Sequence, residues 1–270
     1  MNSLAFGLNT VEAMYDLCLL NQQAPLGERE WSNPNNNLKI ALAGTQTRFA
    51  LWGLLITAKG VADWGYPQPL LGRFTWKEDA SNVGNISIQG PQTSNEMVDN
   101  VTSPTSSPSS NITVPDPDDN DLASSKTSSN PPTALTNPTP LETGIGLTIS
   151  LTYNGASLRN KDVFEILLAA MTVTADHPSS SDFCGIAPGY GLSITSEVNP
   201  DGTCRLLYRH VYKLCRVIAR WLVAERKFQE MDIVLTKGDV LVAEGRLMAG
   251  LPYGSRVQLA NTTLLDHITA

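Results

Sequence analysis

The chain reads as an α+β protein of two similar halves, each with the order (β)αβαββ, its helices packed on small, mainly antiparallel sheets, and a disordered linker between them. Three observations predict this. Helix-like and strand-like apolar periodicities alternate in the same order over residues 9–89 and again over 144–246. Residues 91–143 are instead rich in Ser, Thr, Pro, Asn and Asp and hold no aromatic residue, so they bury too little apolar surface to offset the entropy of ordering. Turn-forming Gly, Pro and Asn clusters punctuate both halves.

In the first half, residues 1–90, Asn9 and Glu12 have the spacing of a capping box, and Val11, Met14, Leu17 and Cys18 share one helical face. This predicts a helix over 9–20. Residues 21–37 read as a loop. Leu38–Leu42 is a short strand, and a second helix over 45–63 turns Leu51, Trp52, Leu55 and Ile56 inward until Pro67 and Pro69 stop it. Strands are expected over 71–76 and 85–89.

The second half, residues 144–250, opens with Leu147, Ile149 and Leu151 alternating with Thr and Ser, a half-buried strand. Asn160 is placed to cap a helix to about residue 176. A strand over 191–198 follows, then the Asn199-Pro200-Asp201-Gly202 turn. Thr203 is read as the cap of the longest helix, to about 227, with Leu207, Val211, Leu214, Ile218 and Leu222 as its stripe. A hairpin over 231–246 turns at Lys237-Gly238-Asp239, and residues 251–270 form a tail. Matching the halves pairs Asn9 with Asn160, Leu38 with Leu192, Thr45 with Thr203, and Phe74 with Ile233. The second half opens with a strand that the first half lacks, so upstream sequence is expected to be missing.

The formal net charge of −7 argues against a nucleic-acid binder, whose affinity comes from neutralising phosphates. No apolar run approaches the ~20 residues of a membrane span. Residues 1–20 lack the basic and apolar regions of a signal peptide. The four cysteines include no C-x-x-C. Cys184, in a Ser/Gly/Pro loop, and Cys204, at a helix start, are the candidate disulfide. Cys18 and Cys215 fall in helical patterns as small apolar residues.

Asn85, Asn100, Asn111 and Asn261 stand in N-glycosylation sequons, although a chain this rich in Asn, Ser and Thr generates several by composition alone. Arg205, Arg209, Arg216 and Arg220 lie along one helix face. They are a candidate anion site against the more ordinary reading of a solvated helix back. His177, His210 and His267 have no ligand spacing, and no G-x-S-x-G supplies a nucleophile; His210 reads as a core histidine. The run Asp116, Asp118, Asp119, Asp121 lacks the Gly and the Glu of a calcium loop. No residue is assigned to catalysis, to a cofactor or to a metal.

The strand LTISLTYNG, the helix start NKDVFEIL and the hairpin EMDIVLTKGDVLVAEGRL carry a resemblance covering about a third of the chain. Leu147–Arg246 resembles a group of uncharacterised, mostly secreted fungal proteins that pair a long amphipathic helix with a β-hairpin. The resemblance implies an extracellular protein of unknown activity. The leading expectation is therefore a non-enzymatic secreted or surface-associated interaction module with a protein or glycan partner. The alternatives are a hydrolase with its site between the halves, and a cytoplasmic binder of an anionic partner through the arginine face.

Overall fold

The computed structural model describes residues 3–33, 38–63, 70–76, 81–90, 139–142, 146–186, 191–249 and 268–269. Four helices lie among them: α1 (Ser3–Cys18), α2 (Thr47–Asp63), α3 (Asn160–Thr174) and α4 (Tyr208–Glu225). The first sheet is built from β1 (Leu26–Asn33), β2 (Leu38–Gly44), β3 (Leu70–Trp76) and β4 (Asn82–Gln89). The second uses β5 (Thr139–Glu142), β6 (Thr148–Ser157), β8 (Gly185–Ile186), β9 (Leu192–Ser196), β11 (Gln229–Lys237) and β12 (Val240–Leu247). A small ladder joins β7 (Asp182–Phe183) to β10 (Leu206–Leu207), and β13 (Ile268–Thr269) lies on the first sheet. The described strand pairs are all antiparallel.

The protein is therefore α+β, and its two sheets share one topology. The first runs β1-β2-β4-β3-β13 and the second β8-β9-β12-β11-β6-β5. Each half places a helix, an edge hairpin, a second helix and a final hairpin in the same order, so β3 and β4 stand where β11 and β12 stand. The strand β6 that opens the second half pairs with β11. Its counterpart position, beside β3, is taken by β13 from the end of the chain, with Ile268 opposite Trp76 and Thr269 opposite Thr75.

Among the described residues each sheet is covered by helices on one face only. Helices α1 and α2 rest on β1, β2 and β4, α3 rests on β9, and the helices of the two halves pack on one another between the sheets. This makes a four-layer stack of sheet, helices, helices, sheet, with one continuous apolar core shared by both halves. The central helices are apolar on more than one side, as burial from several directions requires: α1 buries Phe6, Val11, Ala13, Met14, Leu17 and Cys18, and α3 buries an unbroken run from Ile166 to Thr172. Along β2 and β4, Leu38, Ile40, Leu42, Ile86 and Ile88 face this core while Ala41, Ala43, Asn85 and Ser87 face outward.

Several elements depart from the sequence reading. Helix α1 begins at Ser3, so Asn9 is a buried mid-helix residue and not a cap. The expected loop over 21–37 contains β1, an edge strand whose inward side is mainly Leu26 and Trp31. Helix α4 begins at Tyr208 because Thr203 belongs to the preceding turn, where Asp201 Oδ1 accepts from both the backbone N–H and the hydroxyl of Thr203. The helix start is served by His210, whose Nδ1 accepts the Leu207 N–H at 3.1 Å. Residues 139–142, assigned to the linker, form β5 on β6. The rest of the linker, with its acidic run, lies outside the described residues.

Candidate functional site

The groups that converge between the halves sit where α1 passes α4. Glu12, Tyr15 and Asp16 occupy adjacent turns of α1, and Lys213, Arg216 and Arg220 the facing turns of α4. Spacings of three and four residues put each set on one helix side. Arg216 Nε donates to Glu12 Oε2 at 2.6 Å, and Arg220 Nε donates to Glu12 Oε1 at 2.6 Å with a second bond from its Nη2 to Oε2 at 3.1 Å. The Arg216 guanidinium lies 4.6 Å from the Tyr15 ring centroid, and the Lys213 ammonium 5.9 Å from it. Trp31 of β1 donates its indole N–H to Asp16 Oδ2 at 2.7 Å.

The two carboxylates behave differently. Glu12 is shared by two guanidinium groups, one of them on a residue only 8% exposed. Partial desolvation raises the Asp16 carboxyl above its ordinary value, opposed by the Trp31 bond and by Arg216. Arg216 is held as firmly: its burial is more than offset by Glu12 together with Tyr15 and Asp16, which keep its guanidinium charged.

Behind this rim the junction is apolar. Gly7 of α1 lies directly against the Phe164 ring of α3, where a Cβ would collide. Thr172 Oγ1 approaches Met14 Sδ at 3.8 Å, and Cys18 Sγ approaches the Met171 carbonyl at 3.7 Å. Cys18 and Cys215 are free and buried, and burial raises both thiols, Cys215 to about 12. At the far side Lys59 of α2 meets Glu165 of α3 at 3.1 Å.

Cys184 and Cys204 form a disulfide with a Cα–Cα distance of 5.3 Å, joining the loop between β7 and β8 to the approach of α4. Beside it Ser196 N–H donates to the Cys184 carbonyl, and Val198 bridges Cys204. The four arginines are not a row of free cations. Arg216 and Arg220 hold Glu12, Arg205 donates to Asn199 and to the Leu241 carbonyl, and Arg209 stands exposed. Asn85 is exposed on β4, while Asn100, Asn111 and Asn261 lie outside the described residues.

His177 stacks on Tyr208 with centroids 4.4 Å apart. Burial and the nearby Arg209 and Lys237 lower His210 to about 4. His267 is outside the described residues. Trp221 stacks on Tyr153 at 5.1 Å, and Trp52 packs against the core. Among the described residues no group of three or more His, Cys, Asp or Glu is placed to hold a metal, and no helix is long and apolar enough to cross a membrane.

The seam residues Glu12, Tyr15, Asp16 and Trp31 were not singled out as a site by the sequence. Glu12 carried only a local signal, as a capping partner, and its pairing with Arg216 arises from tertiary packing. Comparison with known proteins finds no matching family model, no matching curated protein and no matching solved structure.

Proposed function

We propose that this protein is a non-enzymatic, secreted or surface-associated interaction module that binds a protein or glycan partner. The observation that carries the reading is the mutual pairing at the seam. Glu12 is held by Arg216 and Arg220, and Asp16 by the Trp31 indole, over a core of mainly apolar buried side chains. A hydrolytic site would need a nucleophile or a water placed between an acid and a base. The Cys184–Cys204 disulfide adds support, because such bonds persist in oxidising compartments and are rare in the cytosol. The one-sided helix cover leaves an outward face on each sheet for a partner.

The test is the intact mass of the natively produced protein in culture medium and in cell lysate, alkylated before and after reduction. A chain in the medium that takes up two additional alkyl groups only after reduction is the expected result. A fully reduced chain confined to the cytosol overturns the secretion reading. Hydrolytic turnover abolished by Asp16→Asn, in a variant that still folds, overturns the non-enzymatic one.

A further inference from the structure

We infer that Asn85 is an N-glycan attachment site and that its sugar covers the outward face of the first sheet, Leu71 in particular. The inference rests on the secretion reading above and names a modification that this reading permits. Asn85-Ile86-Ser87 is an Asn-x-Ser sequon lying along β4, the middle strand of its sheet. Strand alternation separates its three residues: Ile86 is 1% exposed in the core, while Asn85 and Ser87 point to the open side. Among the described residues no helix rests on that side, since α1 and α2 cover the opposite face.

The atoms are also placed for it. Asn82 donates its side-chain amide to Asn85 Oδ1 at 3.3 Å. Among the described residues Asn85 Nδ2, the atom that would carry the sugar, donates no hydrogen bond. Its lateral neighbours in the ladder are Ala43, too small to crowd a sugar, and Arg73. Two pairs further along, on the same face, Ser87 stands opposite Leu71, which is 85% exposed, the most exposed large apolar side chain among the described residues. A sugar on Asn85 therefore extends over the neighbours of an apolar group that the protein itself leaves uncovered.

The chemistry is that of transfer from a lipid pyrophosphate-linked oligosaccharide. Asn85 Nδ2 forms a bond to C1 of the reducing sugar, the C1–oxygen bond to the pyrophosphate breaks, the lipid pyrophosphate leaves with the bonding pair, and the amide loses one proton. Ser87 supplies the sequon hydroxyl.

The experiment uses the full chain behind a cleavable secretion leader in a eukaryotic host, with peptide mapping of the secreted protein before and after peptide:N-glycosidase. The expected result is a glycopeptide containing Asn85 that returns with Asp at that position. Asn85→Gln and Ser87→Ala, which leaves the asparagine in place, should each remove one glycan step. Glycosidase treatment should raise the binding of an apolar fluorescent dye, and Leu71→Ser should abolish that rise. Unmodified Asn85 in the secreted protein overturns the inference, whether or not Asn100, Asn111 or Asn261 carries sugar. An Asn85 glycan with unchanged dye binding overturns the covering role. Failure of the secretion reading is distinguished by the location of the natively produced chain, because the host experiment decides Asn85 independently.

Discussion

Glu12 and Arg216 are 204 residues apart in the chain and bonded at 2.6 Å, so one carboxylate on α1 joins the first half to the helix that dominates the second. Arg216 reaches it with its aliphatic stem buried and its guanidinium over Tyr15. Removal of either partner leaves a charge in a place prepared for two.

Glu12→Ala is expected to cost about 2–4 kcal/mol, because it strands the buried Arg216 guanidinium. The coupling should be unequal. A double-mutant cycle between Glu12 and Arg216 should give the larger interaction energy, and one with Arg220, whose side chain is 42% exposed, less than about 1 kcal/mol. Urea denaturation of the two cycles measures both; equal couplings would place the seam's strength outside the buried pair.

Gly7→Ala tests the helix crossing. The new methyl meets the Phe164 ring, and the rigid core on both sides offers little room for it to move. Destabilisation of about 1–3 kcal/mol is expected in spite of alanine's better helix propensity. Pairing it with Phe164→Leu should restore part of the loss, read as the denaturation midpoint.

Loss of the disulfide should cost about 3 kcal/mol, since the bridge closes a loop with a sequence separation of 20. Cys184→Ser with Cys204→Ser should lower the midpoint, and reductant should lower the parent protein to the same value while leaving the double variant unchanged. Cys18 and Cys215, buried and with raised thiol values, should react with a thiol reagent only after unfolding.

Acid should weaken the protein through His210. Its imidazole titrates near 4 in the fold against an ordinary value of 6.5, so the unfolded chain takes up the proton first. Stability is fully present above pH 6.5 and is lost as pH falls from there to about 4, by on the order of 2 kcal/mol for a half-buried group. Protonation of Nδ1 also breaks the bond from the Leu207 N–H at the start of α4. His210→Gln should flatten the stability profile in that window, measured by denaturation at a series of pH values.

The extent to which the sequence declared this architecture follows from what each element depends on. Helix α4 was legible from its stripe, of which Val211, Leu214, Ile218 and Leu222 are buried as expected, while Leu207 lies just ahead of the helix in β10. Its start was not, because Leu206 and Leu207 are extended by pairing with β7 beside the disulfide, a tertiary restraint on a segment with helical pattern. Strand β1 hid for the opposite reason: Gly27, Glu28, Arg29 and Glu30 lie on an exposed edge, where no apolar alternation is needed. The pairing of Cys184 with Cys204 was legible from loop and helix-start positions. The seam was not, since Glu12 and Arg216 meet only once both halves have folded.

The place of β13 has a consequence for the order of assembly. A chain made from its N-terminus exposes β3 long before Ile268 and Thr269 exist to lie beside Trp76 and Thr75. The first half must therefore wait, its sheet one strand short on that side, through synthesis of everything that follows, while the second half already holds β6 when β11 emerges. The two halves share a plan but not a timetable, and the half that begins first is the one that finishes last.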